Sequence, residues 1–167
     1  EPRMFRIVEV DEKSRGDVIS RLRSDLLRNL FVIYSLLREP ERTTLYAAYG
    51  SDGSLRGHLL VYRGFAAIQL ACRIDGEEKV ARRLLGFLPG ERMVLFCPPG
   101  LLDAVRERFP GARFYPECQM YVARGAERLL APNSAERLRP ECAPLLAELY
   151  SSGESQFARS EERCREL

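Results

Sequence analysis

The stretch from Thr44 to Asp75 constrains this chain more than any other. It reads as three consecutive strand-like runs with no room for a helix between them. Thr44 to Tyr49 is β-branched and aromatic, which suits a half-buried pleated surface. Ser51-Asp52-Gly53-Ser54 is a turn that closes a hairpin. Arg56 to Arg63, with its HLLVY core, is the second run; Gly64 is a turn, and Phe65 to Asp75 is the third. Strands joined this tightly form an antiparallel meander. Its interior includes Leu59, Val61, Ile68 and Leu70.

Helical periodicity brackets the meander. Phe5 to Glu9 is a short opening strand, and Ser14 with Asp17 three residues later has the form of a capping box. A long helix follows over 16–38, with Ile19, Leu22, Leu26, Leu30, Ile33 and Leu37 on one face. Glu39-Pro40 ends it, because the residue before proline avoids the helical region. Within it, Asn29 either bonds a loop or is exposed, and Tyr34 is read as a packing residue rather than a cleft residue. After the meander, Val80, Leu84, Leu85 and Leu88 share a helical face, and Pro89-Gly90 stops that helix. Met93 to Phe96 is a short apolar strand, Leu101 to Phe109 a helix, and Arg113 to Val122 a last strand. Residues 136–139 form a further strand, Pro140 to Tyr150 a helix, and 156–167 a short charged helix. The order strand, helix, meander, helix, strand, helix, strand predicts an α+β fold: a mixed, mostly antiparallel sheet flanked by helices.

Composition narrows the function classes. A chain of 167 residues can bury a core without a metal or disulfide staple. No apolar run is long enough to span a bilayer, and the N-terminal residues lack a secretory pattern. Net charge is 26 − 24 = +2. All the basic residues but Lys13 and Lys79 are Arg, spread along the chain, so no DNA or RNA partner is expected. Cys72, Cys97, Cys118, Cys142 and Cys164 form no C-x-x-C pair, and His58 is the sole His, so no metal site is expected. The cysteines read as free, buried thiols of a reducing, cytoplasmic compartment, with a Cys97–Cys118 disulfide left open. Charge also divides the chain. Residues 1–125 hold 20 basic and 16 acidic groups, and 126–167 hold 6 and 8.

These elements, in this order, resemble the GNAT superfamily of acyl-CoA-dependent N-acyltransferases. TTLYAAYGSDGSLRGHLLVYRG (43–64) is similar to its second and third strands, with the family's "dG.l.G" turn. FAAIQLACRID (65–75) resembles its fourth strand and EEKVARRLLGFL (77–88) the helix after it. RMVLFCPP (92–99) and GLLDAVRERF (100–109) look like its fifth strand and next helix, and FYPECQMYVARG (114–125) its closing strand. A second match, AERLRPECAPLLAELYSSGES (135–155), looks like the opening strand and first helix of another such domain. The resemblance thus implies a GNAT-like domain over 1–125, a connector over 126–134, and the start of a second domain over 135–167. It is the pattern of the N-terminal, non-catalytic or substrate/partner-binding half of a two-domain acetyltransferase, with a second GNAT domain or self-association as the partner. A ligand-binding or interaction module without enzymatic activity is the alternative.

The resemblance also assigns candidate residues. Acetyl-CoA or another acyl-CoA would lie against Cys72, Ile74, Gly76 and Cys97, between the fourth and fifth strands. The family's glycine-rich phosphate loop falls on Ile74-Asp75-Gly76-Glu77-Glu78-Lys79, where only Gly76 fits. Asp75, Glu77 and Glu78 complement the following helix dipole themselves and repel a diphosphate. The helix after the fifth strand has no Tyr to act as general acid. Tyr115 and Glu117 alternate on the expected closing strand, so they would share a face as a phenol acid and a carboxylate base, or stand as a solvent-side pair. His58 begins a strand and reads as structural or exposed.

Overall fold

The computed structural model describes residues 5–64, 70–90, 92–118, 139–152 and 164–165. Among them lie one five-stranded sheet, β1 (Phe5–Glu9), β2 (Thr43–Gly50), β3 (Leu55–Tyr62), β4 (Leu70–Gly76) and β5 (Met93–Phe96), in spatial order β1-β2-β3-β4-β5. The first four strands pair antiparallel, and β5 pairs parallel to β4. The helices are α1 (Glu12–Leu22), α2 (Leu26–Arg38), α3 (Glu78–Leu84), α4 (Leu102–Arg108) and α5 (Ala143–Ser152). The architecture is mixed α+β, as the order of elements predicts.

Side-chain alternation splits the sheet between two layers. Leu59, Val61, Cys72 and Ile74 pack with Val80 and Leu84 of α3 and with Ala104 and Val105 of α4. Leu45 and Leu60 point the other way, against Val18 and Leu22 of α1 and Val32 and Leu36 of α2. Neighbouring residues of β3 therefore serve opposite cores, which is why HLLV is continuously apolar rather than alternating.

The long helix expected over 16–38 is two helices. A 3-10 turn, Arg23–Asp25, divides them. Asp25 caps α2 by accepting the Arg28 N–H, and Asn29 Nδ2 donates to the Leu22 carbonyl, 3.1 Å away, satisfying the end of α1. Asn29, expected to bond a loop or stand exposed, is instead buried and bonds the last residue of α1. The break also shifts the helical phase. Ile19, Leu22 and Ile33 are buried, whereas Leu26, Leu30 and Leu37 are about half exposed. Tyr34, read as a packing residue, is exposed as well. The α1 cap is displaced from its expected place: Asp11 is the N-cap and Ser14 its partner three residues on.

The strand expected over Arg113 to Val122 is not formed across 113–118; those residues are exposed, outside helix and strand, and 119–122 lie outside the described residues. Pro116 cannot donate to a ladder, and Pro110-Gly111 turns the chain just before it. The expected elements over 65–69, 136–138 and most of 156–167 likewise lie outside the described residues. The helix expected from Pro140 is present as a 3-10 turn leading into α5. All five cysteines are free: Cys72 and Cys164 are buried, and Cys118, against expectation, is exposed.

One close approach fixes the β3–β4 register. Gly57 and Gly76 face each other across the pair. A Cβ on Gly57 would stand 2.8 Å from the Asp75 carbonyl oxygen, and one on Gly76 would stand 2.5 Å from that of Arg56. Gly76 also has φ +129°, a conformation closed to L side chains. Gly76→Ala is expected to lose about 2 kcal/mol of stability in urea denaturation. Gly86→Ala, whose Cβ would enter open space, should stay within about 0.5 kcal/mol of the parent.

Candidate functional site

The polar residues of the sheet gather where β3 begins, β4 ends and α2 starts. His58 and Asp75 are opposite one another in the β3–β4 register. Both are buried, with Asn29 the third buried polar residue described. The Arg28 guanidinium grips the Asp75 carboxylate at two points, one of them Nη2 to Oδ1 at 2.6 Å. The same Oδ1 accepts the Gly76 N–H at 2.7 Å. Arg73, on the same sheet face, donates to the Arg28 carbonyl at 3.1 Å and lies over the Phe31 ring. Bidentate pairing suits arginine, whose planar fork matches a carboxylate.

His58 makes the electrostatics of this corner pH-dependent. Burial pulls its pKa down to about 4, the nearby Arg73 and Arg28 push the same way, and Asp75 opposes them. The imidazole is therefore neutral near pH 7, and its Nε2 makes no hydrogen bond. Burial also lowers the pKa of Arg73.

The residues predicted to meet coenzyme A divide differently. Cys72 and Ile74 are almost fully buried in the core under α3 and α4, and Cys97, just past β5, packs against that same core. Burial pushes the Cys72 thiol up to about 12 and raises that of Cys97, so neither is a ready thiolate. Gly76 sits at the β4 end, with its N–H already bonded to Asp75. Tyr115 is 60% exposed, and Glu117 is exposed beside it. Since 113–118 is not a strand, alternation does not place Tyr115 and Glu117 on one sheet face.

β5 pairs with β4 in parallel along its whole length, from Leu70↔Met93 to Arg73↔Phe96. β4 runs on to Gly76, three residues past the end of that pairing, while the chain leaves β5 through Cys97-Pro98. The acids at and just past the end of β4 are already paired. Glu77 meets Arg56 at 3.0 Å, Glu78 meets Arg82 at 2.7 Å, and Asp75 meets Arg28. The sequence reading treated them as bare charges; each in fact has a guanidinium partner. The Glu77 N–H donates to the Arg56 carbonyl at 3.1 Å.

Arg28 escaped sequence reasoning because it lies 47 positions from Asp75, and no local pattern links an arginine within an apolar helix to a distant strand end. An open cleft of about 680 Å³ lies elsewhere, bordered by β1, the β2–β3 turn, Arg21 and Arg83; none of the predicted site residues lines it. Among the described residues no cluster of His, Cys, Asp and Glu could hold a metal ion, and no helix is long and apolar enough to cross a membrane.

No family model matches the sequence, and no curated protein matches it. Solved structures do align with the fold. A ribosomal-protein-alanine N-acetyltransferase from Brucella melitensis biovar Abortus 2308 aligns at 19% identity over 72% of this chain and 98% of its own, with TM-score 0.44. A predicted acetyltransferase from Clostridium acetobutylicum, crystallised with acetyl-CoA, aligns at 9% identity over 71% of this chain and 96% of its own, with TM-score 0.45. A GNAT-family acetyltransferase from Staphylococcus aureus Mu50 aligns at 14% identity over 49% and 61%, with TM-score 0.34. These are proteins the chain is similar to, and no residue role passes across such alignments.

The buried imidazole yields a pH test. Above pH 6.5 His58 is neutral folded or unfolded. As pH falls from 6.5 toward 4, the unfolded chain takes a proton that the native state refuses, so stability is lost. The loss attributable to this group approaches about 3 kcal/mol by pH 4. Urea titrations at pH 7.5 and 4.5 should show wild type losing more stability than His58→Gln. Equal losses would contradict a neutral buried imidazole.

Proposed function

We propose that this protein is a GNAT-like acyltransferase-family protein whose described domain works by binding rather than by acyl transfer. In this reading it is the N-terminal, non-catalytic or substrate- and partner-binding half of an acetyl-CoA-dependent N-acetyltransferase. The sequence resemblance and the meander followed by a parallel fifth strand support the family. The expected helix from Pro140 is consistent with the start of a second domain over 135–167.

One observation carries the non-catalytic half of the proposal. An acyl-CoA implied by the family needs backbone N–H groups turned outward where β4 meets α3. Here the Gly76 N–H serves the Asp75 carboxylate and the Glu77 N–H serves the Arg56 carbonyl. Gly76 lacks a side chain because Arg56 and Gly57 press against it, not because a ligand does. Asp75, Glu77 and Glu78 occupy the approach, and their arginine partners cancel the charge without leaving a net cation for a diphosphate. The residues present do not fit the cofactor.

What remains chemically is a scaffold with a neutral buried imidazole, a closed Arg28–Asp75 pair and an apolar helix face. The alternative, an interaction module outside acyl-transfer chemistry altogether, draws on that face: six large apolar residues of α2 stand 43–57% exposed.

Isothermal titration with acetyl-CoA tests the first reading. No saturable binding tighter than about 100 μM is expected, a threshold equivalent to about −5.5 kcal/mol. Tighter binding accompanied by acetyl transfer to an amine would overturn it.

A further inference from the structure

We propose that the cleft around the start of β1 binds a small aromatic anion, a flat apolar body carrying a carboxylate or a phosphate. The cleft shares no residue with the β4 end, so its occupancy is independent of acyl-transfer chemistry.

Three parts of the fold build this cleft. Phe5↔Gly50 and Arg6↔Tyr49 are opposed in the β1–β2 ladder, beside the turn that carries Gly53. Strand alternation sends Phe5 toward the α3 core and Arg6 to the opposite face, so the cleft wraps the edge of the sheet. Arg83 of α3, and Phe87 just beyond it, line the α3 side. Arg21, near the end of α1, lines the other. Its Nε meets Asp17 at 2.8 Å, and its Nη1 donates to the Gly53 carbonyl at 2.8 Å, which ties the turn to α1 and fixes that wall.

Charge and shape select the ligand. Among the described residues the lining holds three arginines and no acid. Arg21 is neutralised by Asp17. Arg6 and Arg83 are not: among the described residues neither makes an ion pair with a carboxylate. Asp52, in the neighbouring turn, is bonded to Ser54 and Arg56 and does not line the cleft. The guanidinium of Arg83 lies 4.9 Å over the Phe5 ring, and that of Arg21 lies 5.6 Å over Tyr49. One solvated arginine needs no explanation. Two without carboxylates, in a concave site walled by Phe5, Tyr49 and Phe87, are a different case. Low-dielectric walls carrying one sign of charge focus the field and raise the local concentration of anions. The guanidinium fork matches carboxylate and phosphate oxygens, and the rings match a flat apolar body. The volume of about 680 Å³ is in the range of small-molecule sites.

Heteronuclear NMR titration of the full chain with phenyl phosphate and with benzoate tests this. Saturable shifts are expected at the amides of 5–7, 49–53 and 83, with a dissociation constant below about 1 mM for at least one of the two. The tighter of the two names the acid as phosphate or carboxylate. Benzyl alcohol, which lacks the charge, and inorganic phosphate, which lacks the ring, should each bind at least about tenfold more weakly. Arg6→Gln and Arg83→Gln should each raise the dissociation constant roughly threefold, and the double variant roughly tenfold. Both side chains are exposed, and far-UV circular dichroism checks that the variants are folded. Arg108→Gln removes an arginine that lies 5.1 Å over the Phe109 ring outside the cleft, and should leave binding unchanged. No saturable shift with either anion up to about 10 mM overturns the proposal. So does benzyl alcohol binding as tightly as the anions, a double variant that binds like the parent, or an equal loss in Arg108→Gln.

Discussion

The two-point contact of Arg28 with Asp75 ties the helical layer to the sheet. It joins the first turn of α2 to the end of β4, two elements 47 residues apart. The carboxylate is mostly buried and also holds the Gly76 N–H. Removing the guanidinium would strand a negative charge in a low-dielectric corner, a larger cost than the contact's own net gain. His58 and Arg73 are arranged around the same carboxylate, so the pair organises the polar chemistry of this end of the sheet. Leu45, Leu60 and their neighbours supply the burial beneath α2, while this contact ties its first turn to the end of β4.

Much of the fold was legible because it rests on local signals. The Asp52-Gly53 turn, the Gly64 break and the β-branched runs fixed the meander, and Pro40 and Pro89 marked helix ends. The single long helix failed for a physical reason. Ile19 through Leu37 keep a helical spacing across Arg23–Asp25, so periodicity alone carries no trace of the break. The break is written in two capping interactions, Asp25 on Arg28 and Asn29 on Leu22, one of which spans seven residues. The closing strand is not formed across 113–118; hydrophobic alternation there says nothing of whether a proline at 116 leaves a usable ladder.

The site was legible only in its negative part. The acids at 75, 77 and 78 are visible in the sequence, and so is the lack of a glycine-rich loop. Their neutralisation by Arg28, Arg56 and Arg82 is not, because two of those pairs span elements. Cys72 and Ile74 were placed correctly on β4, but which face each side chain takes depends on register, and the register puts them in the core. The end of β4 beyond its pairing with β5 remains as architecture, and the acids beside it are held by arginines.

The β4–β5 pairing has a mechanical consequence. Only four residue pairs join these parallel strands, whereas β2 and β3 share seven. β5 is also half-buried along its whole length, unlike the fully buried interior of β3. Its amides therefore sit at the low-protection end of the molecule, and β5 with the turn leading to α4 forms a unit that opens before the meander does. In hydrogen-exchange terms the sheet is a rigid four-stranded plate with a hinged fifth slat, and the boundary between them is the short parallel ladder of β4 and β5.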